Sequence, residues 1–248
     1  MTDKRPDASR RTLLIGGATA LSLAALSKPS EAAISIQPPV PPSGPKKKLG
    51  MVLFDGFELL DVFGPLEMFG MIKDRVEIVM IAQKAGPIKS GAGPSALADV
   101  GLADAPPLDI VMIPGGMGTR REVDNPGFIA AIRALADATP QVATICTGSG
   151  LLAKSGLLDG IKATSNKMAW KWATAQGAKV VWLPKARWVE DGKFTSSSGI
   201  SAGTDMALAL IAKLYGKDMA HWVTHRAEYR WNEDATDDPF AAMNGLPG

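Results

Sequence analysis

The sequence predicts an α/β fold: a single doubly wound, flavodoxin-like, mostly parallel sheet with helices on both faces. Three observations predict it. Short apolar runs, "LGMVLF", "VEIVMIA", "DIVMIPGG" and "QVATIC", lack polar alternation, as strands buried on both faces do. Segments with helical spacing lie between them, which is the pattern of βα units. The runs close on Asp-Gly, Gly-Gly or small-residue turns, the punctuation expected at strand ends.

The elements follow in order. "LGMVLF" is the first strand. "LLDVFGPLEMFGMI" is a helix, with Pro65 placed near its first turn, where a missing N–H costs least. "VEIVMIA" is the second strand, and "LADVGLADA" a short strand or hairpin arm. "DIVMIPGG" is the third buried strand. "PGFIAAIRALADA" is an amphipathic helix opened by Pro126. "QVATIC" is a further buried strand, leading through "TGSG" into the helical "GLLAKSGLL". "KATSN", "AKVVWL" and the pair "ARWVED" and "GKFTSS", joined at Asp191-Gly192, are later strands. "ISAGTDMALALIAKLYG" is a helix stopped by Gly216.

Before the domain, residues 1–32 read as an export signal, with an uncleaved signal anchor as the alternative. A basic start precedes an apolar run from Thr12 to Leu26 that is too short for a confident membrane span. It ends at small residues around Ala32. Arg10 and Arg11 directly before the run, and Lys28 after it, suit a twin-arginine-type signal and hence a periplasmic or secreted protein. Residues 33–48, rich in proline and ending in three lysines, read as a linker. The domain then spans 49–232, and 233–248 read as a flexible tail.

The bulk properties narrow the function. A net charge of +2 gives no general affinity for nucleic acid. One cysteine, Cys146, rules out an intramolecular disulfide framework and a cysteine-rich metal site. His221 and His225, four apart, lack a third ligand, and "HWVTH" lacks the glutamate of H-E-x-x-H, so no metal is expected. The glycines of "GGMGT" fit neither a dinucleotide fingerprint nor a phosphate loop, and no cofactor is expected.

Three segments converge beyond the carboxyl ends of the strands: "FDGFELLD", "IPGGMGT" and "CTGSG". Cys146 occupies a strand-to-helix turn. There it is either a small buried core residue or a nucleophile that the helix N-terminus would acidify. The small residues Gly148 and Gly150 would let the backbone turn sharply and admit a substrate. Gly115 and Gly116 make either a plain tight turn or a pair of N–H groups facing developing charge. Asp61, set among apolar residues in "LLDVF", is either a helix-capping residue or a buried acid.

Taken together, "FDGFELLDVFGPLEMF", "DIVMIPGG", "ATICTGSGLLAKSGLLDGIKAT" and "FTSSSGISAGTDMALALI" resemble the DJ-1/PfpI superfamily, and within it the isonitrile hydratase branch, from Leu49 to Tyr229. The resemblance implies that Cys146 is the nucleophile, that Thr147 assists it, that Asp61 is the acid beside the thiol, and that the Gly115–Gly116 backbone faces the site. It implies hydration of an isonitrile to an N-substituted formamide through a thioimidate on Cys146, a small-molecule substrate and a homodimer. A raised Asp61 pKa is expected beside a thiol. One departure is plain. Relatives often carry a histidine after "KAT", where this chain has Asn166, which counts against a Cys–His protease. The alternatives are a non-catalytic sensor of small molecules or oxidants, and another superfamily chemistry of glyoxalase or deglycase type. Relatives fused to DNA-binding helices act as regulators. Here the short tail and the export signal argue for no nucleic-acid partner, and no membrane contact is expected once the signal is removed.

Overall fold

In chain order the elements are β1 (Lys47–Val52), α1 (Leu59–Gly70), β2 (Val76–Ala82), β3 (Gly86–Lys89), β4 (Ser95–Ala98), β5 (Val100–Gly101), β6 (Ile110–Ile113), α2 (Thr119–Glu122), α3 (Pro126–Ala138), β7 (Gln141–Ile145) and α4 (Gly148–Lys154). They continue with β8 (Lys162–Ala163), α5 (Trp170–Thr174), β9 (Val181–Trp182), β10 (Trp188–Asp191), β11 (Phe194–Ser197), α6 (Ala202–Tyr215), α7 (Lys217–Arg226) and α8 (Phe240–Met243). The computed structural model describes residues 38–40 and 44–247. The expected export signal and most of the linker lie outside these residues. Among them, no helix is long and apolar enough to cross a membrane.

Seven strands form the main sheet in the order β10-β11-β7-β6-β1-β2-β5. All neighbours pair in parallel except β10 with β11, the hairpin anticipated around Asp191-Gly192. The absence of alternation has the expected cause: Ile110, Val111, Met112 and Ile113 of β6 are all fully buried. The chain steps one way from β1 to β2 and the other way from β6 to β7. Right-handed crossovers therefore send α1 and α3 to opposite faces. α1 packs on α6, and α6 on α7; α3, α4 and α5 form the other layer. The reversal between β1 and β6 opens a crevice at the strands' carboxyl ends, where ligands bind in such sheets.

Several expectations shift. β1 begins at Lys47 rather than Leu49, so two of the three lysines assigned to the linker belong to the sheet. Pro65 lies inside α1 and not in its first turn. It withholds the N–H that the Asp61 carbonyl would otherwise receive, and packing on α6 sustains the helix across it. "KATSN" and "AKVVWL" supply only the two-residue strands β8 and β9, which pair with each other outside the main sheet. The β3–β4 hairpin arm at "GPIK" carried no clear strand pattern. The segment past Asn232 is tied down: Asp238 is buried against Lys167, and α8 follows directly.

Candidate active site

The Cys146 turn is built from the residues around it. β7 ends at Ile145 and α4 starts at Gly148, leaving Cys146 and Thr147 to make the turn. Cys146 adopts φ +56°, a left-handed conformation that costs a non-glycine residue about 1–3 kcal/mol. Its surroundings hold it there. The Cys146 N–H donates to the carbonyls of Ser197 and Ser198, each at 3.2 Å. Its carbonyl accepts the hydroxyls of Ser149 at 2.9 Å and Ser165 at 3.0 Å. Gly148 and Gly150 are helical, so sharp turning is not their role. A Cβ on Gly148 would run into the Ile113 and Pro114 carbonyls, and one on Gly150 would lie 3.0 Å from the Trp172 ring. Close approach of β6 and α5 requires them.

Asp61 comes from α1, and it does not cap the helix. Its side chain turns inward, fully buried, and Oδ2 accepts the Gly115 N–H at 2.8 Å. Oδ1 is buried without a partner of hydrogen-bond geometry, while the Cys146 thiol lies close enough to act on the carboxyl. Burial pushes the Asp61 pKa up to about 7, with the Gly115 hydrogen bond opposing and the Glu58 charge adding.

The thiol is not acidified. Burial, and then the charge of Asp61, push Cys146 up to about 12. Three donors oppose this without prevailing: the N–H groups of Thr147 and Ile200, and the Asn166 amide. The helix that should have acidified the thiol is short, and Cys146 is buried beside a carboxyl, so desolvation wins. Asn166 Oδ1 accepts the Ala169 N–H at 2.9 Å, which leaves its NH₂ for the sulfur. At the position after "KAT" this chain therefore places a hydrogen-bond donor beside the sulfur.

The two glycines hold the side chains around the thiol. Gly115 N–H is engaged by Asp61, and Gly116 N–H donates to Thr147 Oγ1 at 3.1 Å. A Cβ on Gly115 would lie 2.6 Å from both N and Oγ1 of Thr147. Gly116 sits at φ +122°, and a Cβ there would strike the Gly56 carbonyl and come within 2.5 Å of Glu58 N. Thr147 Oγ1 also meets Thr119 Oγ1 at 3.2 Å.

The sulfur faces a pocket of about 300 Å³ lined by Glu58, Met117, Arg120, Met168 and Ile200 together with the site residues. Arg120 escaped the sequence reading. Its guanidinium donates to Thr119 Oγ1 at 2.9 Å and stacks 4.1 Å from the Trp172 ring centroid. Burial lowers its pKa, and the Cys146 charge acts the other way. The arginine pair directly after "GGMGT" was the available signal. A larger cavity of about 680 Å³ beside α3, lined by Leu108, Phe128 and Leu135, contains no titratable group. His221 lies 3.2 Å from Glu233 at the surface, away from this pocket. Among the described residues, no cluster of histidine, cysteine and acid could hold a metal ion.

Comparison with known proteins accords with this architecture. The chain is 32% identical to isonitrile hydratase of Pseudomonas putida over 182 residues, 73% of this chain and 78% of that protein. It is 28% identical to the HTH-type transcriptional regulator GbdR of Pseudomonas aeruginosa over 221 residues, 85% of this chain but only 59% of the regulator. The crystal structure of a ThiJ/PfpI family protein from Pseudomonas syringae superposes with a TM-score of 0.71 at 25% identity, covering 88% of this chain and 86% of that one. Residues 47–213 match the DJ-1/PfpI family, and the chain, with its mostly parallel sheet and strand-tip cysteine, belongs to that family.

Proposed function

We propose that the protein hydrates an isonitrile to an N-substituted formamide, with Cys146 as nucleophile and Asp61 as acid and base. The observation that carries this reading is the meeting of two buried side chains, Asp61 and Cys146, each acting on the other's ionisation. Similarity to an isonitrile hydratase supports the substrate class.

A thiol at about 12 does not ionise alone at neutral pH, so it needs an adjacent base. Asp61, at about 7, supplies a carboxylate. The carboxylate takes the thiol proton as a sulfur lone pair forms the C–S bond to the terminal isonitrile carbon. Asp61 then returns that proton to the same carbon, giving a thioimidate. Water adds to this carbon as Asp61 takes its proton and passes it to nitrogen. The tetrahedral species collapses: the hydroxyl proton leaves through Asp61, the C–S bond breaks, and sulfur regains a proton. The sum is addition of one water, and the steps balance without a cofactor. Thr147 Oγ1, held by Gly116 N–H, orients the water, and Arg120 faces the charge developing near sulfur.

The deciding experiment is formamide production from phenyl and alkyl isonitriles by the protein beside Cys146→Ala and Asp61→Ala. Turnover lost in both folded variants supports the mechanism. No turnover with any isonitrile overturns it. The second reading, a small-molecule or redox-sensing module, draws on the similarity to a regulator across 85% of this chain. Selective oxidation or alkylation of Cys146 without turnover would favour it. A glyoxalase or deglycase reaction suits the site less well, because Asn166 cannot accept a proton. We further propose export to the periplasm and a homodimer, testable by cell fractionation and by light scattering.

A further inference from the structure

The Cys146 pocket does not end at Met168 and Ile200. Beyond them lies a second, open compartment of about 320 Å³, which shares Asn166, Met168 and Ile200 with the first and is also lined by Phe240 of α8. Its lining is mainly apolar, and its large apolar side chains are left exposed. Met168 is 89% exposed, Phe240 is 49% exposed, and Ile200 is also exposed. An apolar cavity of about 150 Å³ is enough to hold a benzene ring.

This wall is built in. Lys167, between two residues that line both compartments, is buried and donates to Thr164 Oγ1 at 2.7 Å and the Ala186 carbonyl at 2.8 Å. Its ammonium faces buried Asp238 at 3.7 Å. Asp238 Oδ1 in turn accepts the Phe240 N–H at 3.1 Å, and its carbonyl accepts the Ala241 N–H at 3.1 Å. The same ion pair therefore ties the segment shared by the two compartments to the start of the helix that carries Phe240.

An isonitrile is linear at nitrogen and its reacting carbon is terminal, so the substituent lies at the end opposite the reacting atom. With its carbon on the sulfur, its substituent must extend away from Cys146, and the joined compartment offers an apolar place for it. We infer that the compartment between Met168, Ile200 and Phe240 is the substituent subsite, that it takes an aromatic ring, and that Phe240 determines this specificity. The inference rests on the hydratase reading for the reacting group and on the shared lining for the rest.

The test compares kcat/KM for phenyl and methyl isonitrile in the wild type, Phe240→Ala, Phe240→Leu and Met243→Ala. Met243 is an exposed residue of α8 that does not line the compartment. The phenyl-to-methyl ratio is expected to fall about tenfold in Phe240→Ala, to recover largely in Phe240→Leu and to stay at the wild-type value in Met243→Ala. NMR titration with N-phenylformamide and N-methylformamide gives a readout that needs no turnover. Tighter phenyl binding that depends on Phe240 supports the subsite even if no isonitrile is hydrated, in which case only the reaction fails. An unchanged ratio in Phe240→Ala, or equal binding of the two amides by the wild type, overturns the inference.

Discussion

The Gly115 N–H donates to Asp61 Oδ2 at 2.8 Å, and a Cβ on Gly115 would lie 2.9 Å from that same oxygen. One residue therefore supplies both the hydrogen bond that orients the acid and the empty space that lets the acid reach the thiol.

Gly115→Ala should damage the site more than the fold. Its methyl would press on Thr147 N and Oγ1, each 2.6 Å away, and on Asp61, so these groups must shift. We expect isonitrile hydration to fall at least about a hundredfold, since misplacement of about 1 Å has that effect. Stability should fall by about 1–3 kcal/mol, as overpacking does. Wild-type turnover in a folded Gly115→Ala protein would show that Asp61 need not be held there.

The pH dependence of catalysis follows from the shared proton. In the proposed mechanism the productive pair carries one proton, with Asp61 as carboxylate and Cys146 as thiol, so kcat/KM should rise about tenfold per pH unit below about 7 and level off above it. A profile falling through pH 7 would mean that the carboxylic acid is the working form.

Asp61 also makes stability depend on pH. Its folded pKa, about 7, is raised above the ordinary 3.8. The folded state therefore binds the proton more tightly, and this contribution is full below about 3.8 and lost as pH rises through about 7. Above pH 7 the buried carboxylate costs on the order of 4 kcal/mol. Asp61→Asn cannot ionise, so it should unfold at a higher temperature than the wild type at pH 8, with little difference at pH 4, while losing activity. Thermal melts at the two pH values decide this. No gain at pH 8 would mean that the carboxylate is better solvated than its burial implies.

The ion pair behind the site should hold the C-terminal segment. Asp238→Ala leaves the Lys167 ammonium buried without its carboxylate and removes the side-chain acceptor of the Phe240 N–H, for an expected loss of about 3–5 kcal/mol. Limited proteolysis should then cut after about residue 232 much faster than in the wild type. Equal cutting rates would show that the segment is held by its apolar contacts, such as buried Ala241.

Local pattern was enough to identify the sheet and the turn. "DIVMIPGG" and "QVATICTGSG" carry continuous apolar runs ending in small residues, and those runs became β6, β7 and the Cys146 turn. Pro65 was misplaced because propensity assigns proline to a first turn, whereas packing of α1 on α6 tolerates it further in. Arg120, Trp172 and the Lys167–Asp238 pair were missed because each acquires its meaning from a partner distant in sequence. The Asn166 amide that faces sulfur where relatives often have histidine is of the same kind: its identity was legible, its orientation was not.

The sequence by itself determined the doubly wound fold, the family and the residues that meet at the strand tips, because apolar period and turn chemistry act over a few neighbouring residues. The tertiary structure alone decided the ionisation of the thiol. Helix-terminus logic argued for an acidic thiol, yet burial beside Asp61 pushes Cys146 up to about 12 and gives the carboxyl a value near 7. Desolvation depends on everything packed around a group, and no local stretch of sequence contains that sum.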